Sequence, residues 1–183
     1  MSFEELVDQE LKKMKECGLI PYWDDESGTV DQDIFDKFSS SADETAAFHR
    51  YLNKHTLLNS GSYGLLVRGM YVLQLRPWLQ AFDREQFLFL KLESMKADGI
   101  ASTMQRVWKH LDLPNMPVRD ESAKNSRDYD PMDPNVRMRL EHFFEPHNRQ
   151  MMDFLGSHFK EGSSDWNNPW PYGRQVNLSR EQT

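Results

Sequence analysis

Tyr129-Asp-Pro-Met-Asp133-Pro begins the most informative part of this 183-residue chain, which continues as far as Leu155-Gly156. Asp133 can accept hydrogen bonds from the free N–H groups at a helix start, and the proline after it has no N–H to leave unpaired. Apolar side chains then recur at helical spacing, at Met138, Leu140, Phe143, Phe144, Met151, Met152, Phe154 and Leu155. Because Pro146 removes a helical hydrogen bond and Gly156 favours a helix end, the pattern predicts two short helices that meet at Pro146.

Upstream, the hydrophobic pattern predicts four further helices and one strand. The predicted helices are Ser2–Glu16, Thr45–His55, Ser62–Phe82 with a boundary near Arg76-Pro77, and Ser102–Leu111. The run Gln86–Leu92 is too apolar for an edge strand, so we expect it to be buried in a sheet. One strand among five helices makes a poor α/β domain by itself, because a parallel sheet needs neighbouring strands.

Charge is concentrated in one segment. The net charge is −7, and eight acids against the single base Lys37 lie between Asp24 and Glu44. Such a segment favours a solvated loop, although a docking strip for a basic partner is the alternative. Since no basic stripe is present, nucleic acid is not an expected partner. No apolar run reaches membrane-span length, the opening residues lack a signal-peptide pattern, and Cys17 is a lone cysteine.

Three motifs, in order, resemble the sulfotransferase domain of carbohydrate (heparan-sulfate-type) sulfotransferases. The first is Arg68-Gly-Met-Tyr71 with Gln74-Leu, Trp78-Leu and Phe82, which runs into Arg84-Glu-Gln-Phe-Leu-Phe-Leu-Lys-Leu-Glu93. The second is Lys96-Ala-Asp-Gly through Leu111-Asp-Leu-Pro114. The third is the Tyr129 stretch with Phe143-Phe-Glu-Pro-His-Asn148. Together they cover roughly residues 60–156.

The resemblance implies a P-loop-like α/β fold and transfer of a sulfuryl group from 3′-phosphoadenosine 5′-phosphosulfate (PAPS) to a hydroxyl or amine of a carbohydrate. PAPS would be a co-substrate, and no metal is implied. The family's Lys- and Gly-rich phosphate loop has no counterpart here, so we expect the chain to be the C-terminal part of the domain and inactive by itself. The alternative is a non-catalytic truncated relative that acts as a binding module or an inactive fragment. Many family members reside in the Golgi lumen.

The resemblance also implies site residues, although it assigns no catalytic residue to this chain. Lys124, Arg127 and Tyr129 occupy the family's loop over PAPS, where Arg can grip a phosphate bidentately; the alternative is a solvated loop. Arg68 and Tyr71 lie on the helix beside the acceptor cleft. Because Tyr71 and Trp78 are seven residues apart and share a helix face, plain core packing is the favoured alternative for that pair.

The remaining candidates have weaker support. Trp166 and Trp170 suit either a sugar-stacking platform or buried staples. His147 is expected to bond to backbone, and the six histidines show no metal-ligand spacing. The predicted domain organisation is a partial sulfotransferase domain over residues 1–160, which includes an acidic loop at 24–44, followed by an extended Trp- and Pro-rich arm at 161–183.

Overall fold

The computed structural model describes residues 2–55, 64–122 and 130–158. Seven helices occur in these ranges: α1 Phe3–Glu16, α2 Gln32–Phe38, α3 Ala42–Lys54, α4 Tyr71–Ala81, α5 Leu92–Asp98, α6 Ile100–His110 and α7 Pro134–His158. Short 3₁₀ turns cover Val67–Gly69 and Arg84–Gln86. Strands β1 (Trp23–Asp24) and β2 (Thr29–Val30) pair antiparallel, with Trp23 opposite Val30. The described part is therefore mostly helical, with one small two-stranded sheet.

The capped helix starts are confirmed. The Ser2 hydroxyl accepts a hydrogen bond from the Glu5 N–H at 3.1 Å, and the Glu5 carboxylate accepts one from the Ser2 N–H at 2.6 Å. At the other end of the chain, Asp133 Oδ1 accepts from the N–H groups of Asn135 and Val136 at 2.8 and 3.2 Å. The hydrogen bonds at both caps join residues at most three positions apart, so the sequence pattern sufficed to predict them.

The acidic segment is not the loop that its composition predicted. Two of its acids accept hydrogen bonds from nearby backbone N–H groups. Asp24 accepts one from the Glu26 N–H at 2.9 Å inside the hairpin turn, and Asp31 caps α2 by accepting one from the Ile34 N–H at 3.0 Å. Phe35 is buried in the core. Acidic residues at turn and cap positions are compatible with ordered structure because they satisfy free backbone N–H groups.

Helix α7 is continuous, so the predicted break at Pro146 and the predicted stop at Gly156 are both wrong. A proline inside a helix removes one backbone hydrogen bond, and tertiary packing on both sides of it can offset that loss. Phe143 and His147, which flank the proline, are both buried, as are Met151 and Leu155 further along the helix.

The predicted buried strand Gln86–Leu92 is also wrong. Gln86 ends a 3₁₀ turn, the backbone is extended at Phe87 and Lys91, and helix α5 starts at Leu92. The only ladder in the described ranges joins β1 to β2. A strand needs a neighbour to complete its hydrogen bonds, and apolar composition alone does not supply one. Phe89 nevertheless packs against a buried cluster formed by Val72 of α4 with Met151 and Leu155 of α7.

Two predicted helices differ from the structure in their limits or in their buried faces. Helix α4 begins at Tyr71 after the Val67–Gly69 turn, rather than at Ser62, which lies outside the described residues. Helix α6 is confirmed; Thr103 is its buried residue, and Leu111 at its end is 54% exposed.

The main core gathers residues of α1, the hairpin, α2, α3, the Val67–Gly69 turn, α4 and α7. At its centre the Tyr22 hydroxyl lies 3.0 Å from His147 Nε2, which corrects the predicted backbone partner of that histidine. Burial lowers the pKa of His147 to about 3 and raises the pKa of Tyr22 well above its ordinary value. Both groups are therefore neutral near pH 7, and they share one hydrogen bond whose direction is set by the tautomer of the His147 ring.

Candidate functional site

The turn that carries Arg68 is held in place from several sides. Glu10 of α1 accepts hydrogen bonds through Oε1 from the Val67 N–H at 3.1 Å and from the Tyr51 hydroxyl at 3.3 Å. Gln74 of α4 donates through Nε2 to the carbonyl oxygens of Val67 and Arg68, at 3.2 and 3.1 Å. Three helices, α1, α3 and α4, thus converge on a turn of three residues.

Helix α7 adds a steric contact to the same turn. A Cβ atom at Gly69 would lie 2.5 Å from Cε1 and 2.9 Å from Cζ of Phe144, closer than carbon atoms can approach. Glycine is therefore required at this position because the Phe144 ring occupies the space of a side chain. The Phe144 ring itself packs edge-on against Phe143 of the core, at a centroid distance of 5.0 Å.

Arg68 has an exposed side chain on this turn. In the ranges 2–55, 64–122 and 130–158, its guanidinium makes no hydrogen bond or ion pair. A guanidinium presents five N–H donors in a planar fork that matches carboxylate, sulfate and phosphate groups. The geometry therefore presents a cationic donor group that an anion can reach.

An open cleft of about 450 Å³ lies next to this turn, between α4, residues 89–93 and α7. It is lined by Tyr71, Gln74, Leu75, Phe89, Leu90, Lys91, Leu92, Glu93 and Met151. The walls are mainly apolar, while Tyr71, Lys91 and Glu93 bring a phenol, an amine and a carboxylate. A cleft of this size with a few polar groups is typical of small-molecule and saccharide sites.

Tyr71 and Trp78 are not core residues, so the alternative that favoured core packing for the pair is wrong. Tyr71 is 45% exposed and Trp78 is 57% exposed. Trp78 stacks on Phe82 with centroids 5.6 Å apart and an interplanar angle of 21°. The helix face that carries the matched motif is therefore an exposed surface, and its Tyr71 end opens into the cleft.

Several predicted site residues cannot be placed relative to the cleft. Lys124, Arg127 and Tyr129, assigned to the PAPS loop, lie outside the described residues, as do Trp166, Trp170 and the predicted arm at 161–183. Among the residues that are described, no group of three or more His, Cys, Asp or Glu side chains is arranged to hold a metal ion.

Two buried carboxylates close to the site were missed from the sequence. Glu10 is 5% exposed, yet it lies on the apolar stripe of α1, three residues after Val7 and four before Met14. A charged residue on an apolar stripe is a detectable signal. The other carboxylate, Glu44, had no such signal.

Glu44 is fully buried and ties α3 to α4. Its Oε2 accepts from Arg76 Nη1 at 2.6 Å and from the Ser40 N–H at 2.7 Å, and Arg76 Nη2 donates to the Ser40 hydroxyl at 2.7 Å. The ion pair joins residues 32 positions apart. No local pattern pairs positions so far apart, so only the folded structure reveals this contact, which anchors the middle of α4.

Comparison of the sequence with known proteins finds similarity to sulfotransferases. The chain is 32% identical over 112 residues to carbohydrate sulfotransferase 15 of Homo sapiens, across 55% of the chain and 20% of that protein, and the Mus musculus protein of that name matches over the same shares. It is 24% identical over 99 residues to the membrane-associated sulfotransferase kil1 of Dictyostelium discoideum, across 54% of the chain and 21% of that protein.

The chain is therefore related to carbohydrate sulfotransferases, which confirms the resemblance found in its motifs. It spans about a fifth of the length of these relatives. No protein-family model and no solved structure matches it. None of the helices that the structure describes is both long enough and apolar enough to cross a membrane.

Proposed function

We propose that the chain forms part of a sulfotransferase domain that moves a sulfuryl group from PAPS to a hydroxyl or amine of a carbohydrate. The homology to carbohydrate sulfotransferases over 112 residues is the observation that carries this proposal. A P-loop-like sheet, as the resemblance implies, is the fold we propose for the complete domain.

On the acceptor side, the proposal assigns substrate contacts to Arg68 and Tyr71. It is supported by the exposure of both side chains and by the position of Tyr71 on the wall of the cleft. Arg68 would bind an anionic group of the saccharide, and the Tyr71 ring would stack on a sugar face or donate through its hydroxyl. Such contacts orient an acceptor, which lowers the entropic part of the barrier to transfer.

On the donor side, the proposal assigns the phosphate contacts of PAPS to Lys124, Arg127 and Tyr129. This assignment is supported by the order of the motif, which ends in the Asp133 cap of α7. Arg127→Ala should weaken binding of adenosine 3′,5′-bisphosphate, the desulfated donor product, by about 1.5–3 kcal/mol, since a charged hydrogen bond is lost. Tyr129→Phe should cost about 0.5–1.5 kcal/mol, since its hydrogen bond is neutral.

Calorimetric titration tests both sides with one set of proteins. The parent chain and its Arg127→Ala, Tyr71→Ala and Leu113→Ala variants are titrated separately with adenosine 3′,5′-bisphosphate and with a heparan sulfate tetrasaccharide. We expect Arg127→Ala to impair nucleotide binding and Tyr71→Ala to impair saccharide binding. Leu113→Ala, which changes an exposed leucine outside the cleft lining, should alter neither.

The outcomes separate the proposal from its alternatives. Saccharide binding without nucleotide binding would favour the non-catalytic binding module over a sulfotransferase. If the parent chain bound neither ligand, the donor and acceptor contacts proposed for this chain would be refuted.

A further inference from the structure

We infer that Glu10 is a positioning residue that holds the turn of Arg68 so that its guanidinium meets an anionic group of a ligand. The inference rests on the proposed function, since it needs a ligand with a carboxylate, sulfate or phosphate group. It goes beyond that function because Glu10 lies in another helix, 58 positions before Arg68, and itself faces the protein interior.

Glu10 is buried although its side chain is a carboxylate. It occupies a position on the apolar stripe of α1 between Val7 and Met14, where a leucine or methionine would pack without loss of hydration. A buried carboxylate is unfavourable unless hydrogen bonds replace its water. Its two partners are the Tyr51 hydroxyl and the Val67 N–H, so the carboxylate joins α1 and α3 to the backbone next to Arg68.

Both partners of Glu10 are hydrogen-bond donors. Burial and the nearby Glu10 carboxylate raise the pKa of Tyr51 above its ordinary value, so its hydroxyl stays protonated and donates. The Val67 N–H is a backbone donor at a buried position, and it would lack a partner without Glu10. Glu10 therefore fixes the N-terminal side of the turn.

The rest of the turn is also held by side-chain contacts. Gln74 donates hydrogen bonds to the carbonyl oxygens of Val67 and Arg68, and the Phe144 ring fills the space beside Gly69. Among the described residues Arg68 is thus an exposed side chain without a hydrogen-bond or ion-pair partner, on a turn whose backbone is held by α1, α4 and α7. A fixed backbone reduces the entropy lost when the guanidinium binds an anion, which is the physical basis of preorganisation.

The experiment combines a double-mutant cycle with amide exchange, using the whole 183-residue chain. Parent, Arg68→Ala, Glu10→Leu and the double variant are titrated with adenosine 3′,5′-bisphosphate and with a heparan sulfate tetrasaccharide, which separates a donor phosphate from an acidic group of the acceptor as the bound anion. Glu10→Gln is the conservative rescue, because its amide oxygen can still accept from Val67. Glu4→Leu, which removes an exposed acid of the same helix, is the matched control.

We expect Arg68→Ala to weaken binding of one ligand by about 10-fold or more, the usual effect of losing a charged hydrogen bond. Glu10→Leu should weaken the same ligand by about 3- to 10-fold in the parent background and have no further effect in the Arg68→Ala background, since coupled residues are not additive. Glu10→Gln and Glu4→Leu should stay within about twofold of the parent.

Amide hydrogen exchange, measured without ligand, keeps the two proposals apart. Glu10→Leu should speed the exchange of the Val67 and Arg68 amides, and Glu10→Gln should not. If Glu10→Leu does not fold, Glu10→Ala takes its place in the cycle. Equal losses in the parent and Arg68→Ala backgrounds, or parent-like binding by Arg68→Ala, would refute this inference alone. A parent chain that binds neither ligand would refute the contacts proposed for this chain and this inference with them.

Discussion

Acidification should destabilise this protein through one buried histidine. His147 is 4% exposed, its Nε2 lies 3.0 Å from the Tyr22 hydroxyl, and the rings of Phe35 and Phe143 lie within 5.1 and 5.3 Å of its ring. Protonation would place a positive charge among aromatic rings in the buried core. Burial therefore lowers the pKa of His147 from 6.5 to about 3 in the folded chain.

The size of the effect follows from the difference between the folded and unfolded pKa values. Between pH 6.5 and about 3 the unfolded chain binds a proton at His147 and the folded chain does not. The free energy of unfolding contributed by this group is fully present above pH 6.5 and falls by about 1.4 kcal/mol per pH unit as the pH decreases towards 3. From pH 7 to pH 4.5 the loss from this histidine amounts to about 2.5 kcal/mol.

Urea unfolding of the parent and of His147→Gln, at pH 7 and at pH 4.5, measures this contribution. The variant should be less stable than the parent at pH 7, because it loses the ring contacts. Its stability should fall less on acidification, by about 2.5 kcal/mol, because glutamine does not titrate. Carboxylates and His55, whose pKa is also lowered by burial, titrate in both proteins and cancel in the comparison.

His49→Gln is the matched control, because His49 is an exposed histidine of α3. It should follow the pH dependence of the parent. If the parent and His147→Gln lost stability in parallel between pH 7 and pH 4.5, His147 would titrate normally in the folded protein. The neutral pair with Tyr22, which the structure places at the centre of the core, would then be wrong.

The features that were predictable from the sequence depend on contacts within a few residues. Ser2 with Glu5, and Asp133 with the N–H groups after it, are capping contacts that span three residues or fewer. The helices α1, α3 and α6 were recognised from apolar periodicity, which also depends on neighbours three and four positions apart. In these elements the local preference and the tertiary packing favour the same structure.

The wrong predictions share the opposite property, since distant contacts decide the outcome. Whether 86–92 forms a strand depends on a partner strand, which its sequence does not encode. Whether Pro146 breaks α7 depends on whether the core holds both halves, and His147 and Phe143 are buried there. The prediction for the acidic segment rested on its mean composition. It therefore overlooked that Phe35 is buried in the core and that Asp31 caps helix α2.

The residues of the candidate site also differ in whether local sequence or distant contacts reveal them. Arg68 and Tyr71 were found from motif order, but their exposure and the nearby cleft required the folded structure. Glu10 could have been found, because a carboxylate on an apolar helix stripe needs an explanation. The pairing of Glu44 with Arg76, across 32 positions, could not.

Two further predictions concern the helices that frame the site. Arg76→Met should lower the free energy of unfolding by about 2–4 kcal/mol in urea denaturation, because it leaves the buried Glu44 without its counter-charge; a loss below 1 kcal/mol would mean that the pair is not buried as described. Gly69→Ala should destabilise the chain by about 1–3 kcal/mol, because the added Cβ meets the Phe144 ring at 2.5 Å and the core fixes that ring. Gly156→Ala is the matched control: nothing lies within 4 Å of its Cβ, and alanine stabilises a helix interior by up to about 1 kcal/mol, so the two variants should shift the thermal midpoint in opposite directions. If Gly69→Ala melted with the parent or above it, Phe144 would be free to move aside, and the turn that presents Arg68 would not be held by α7.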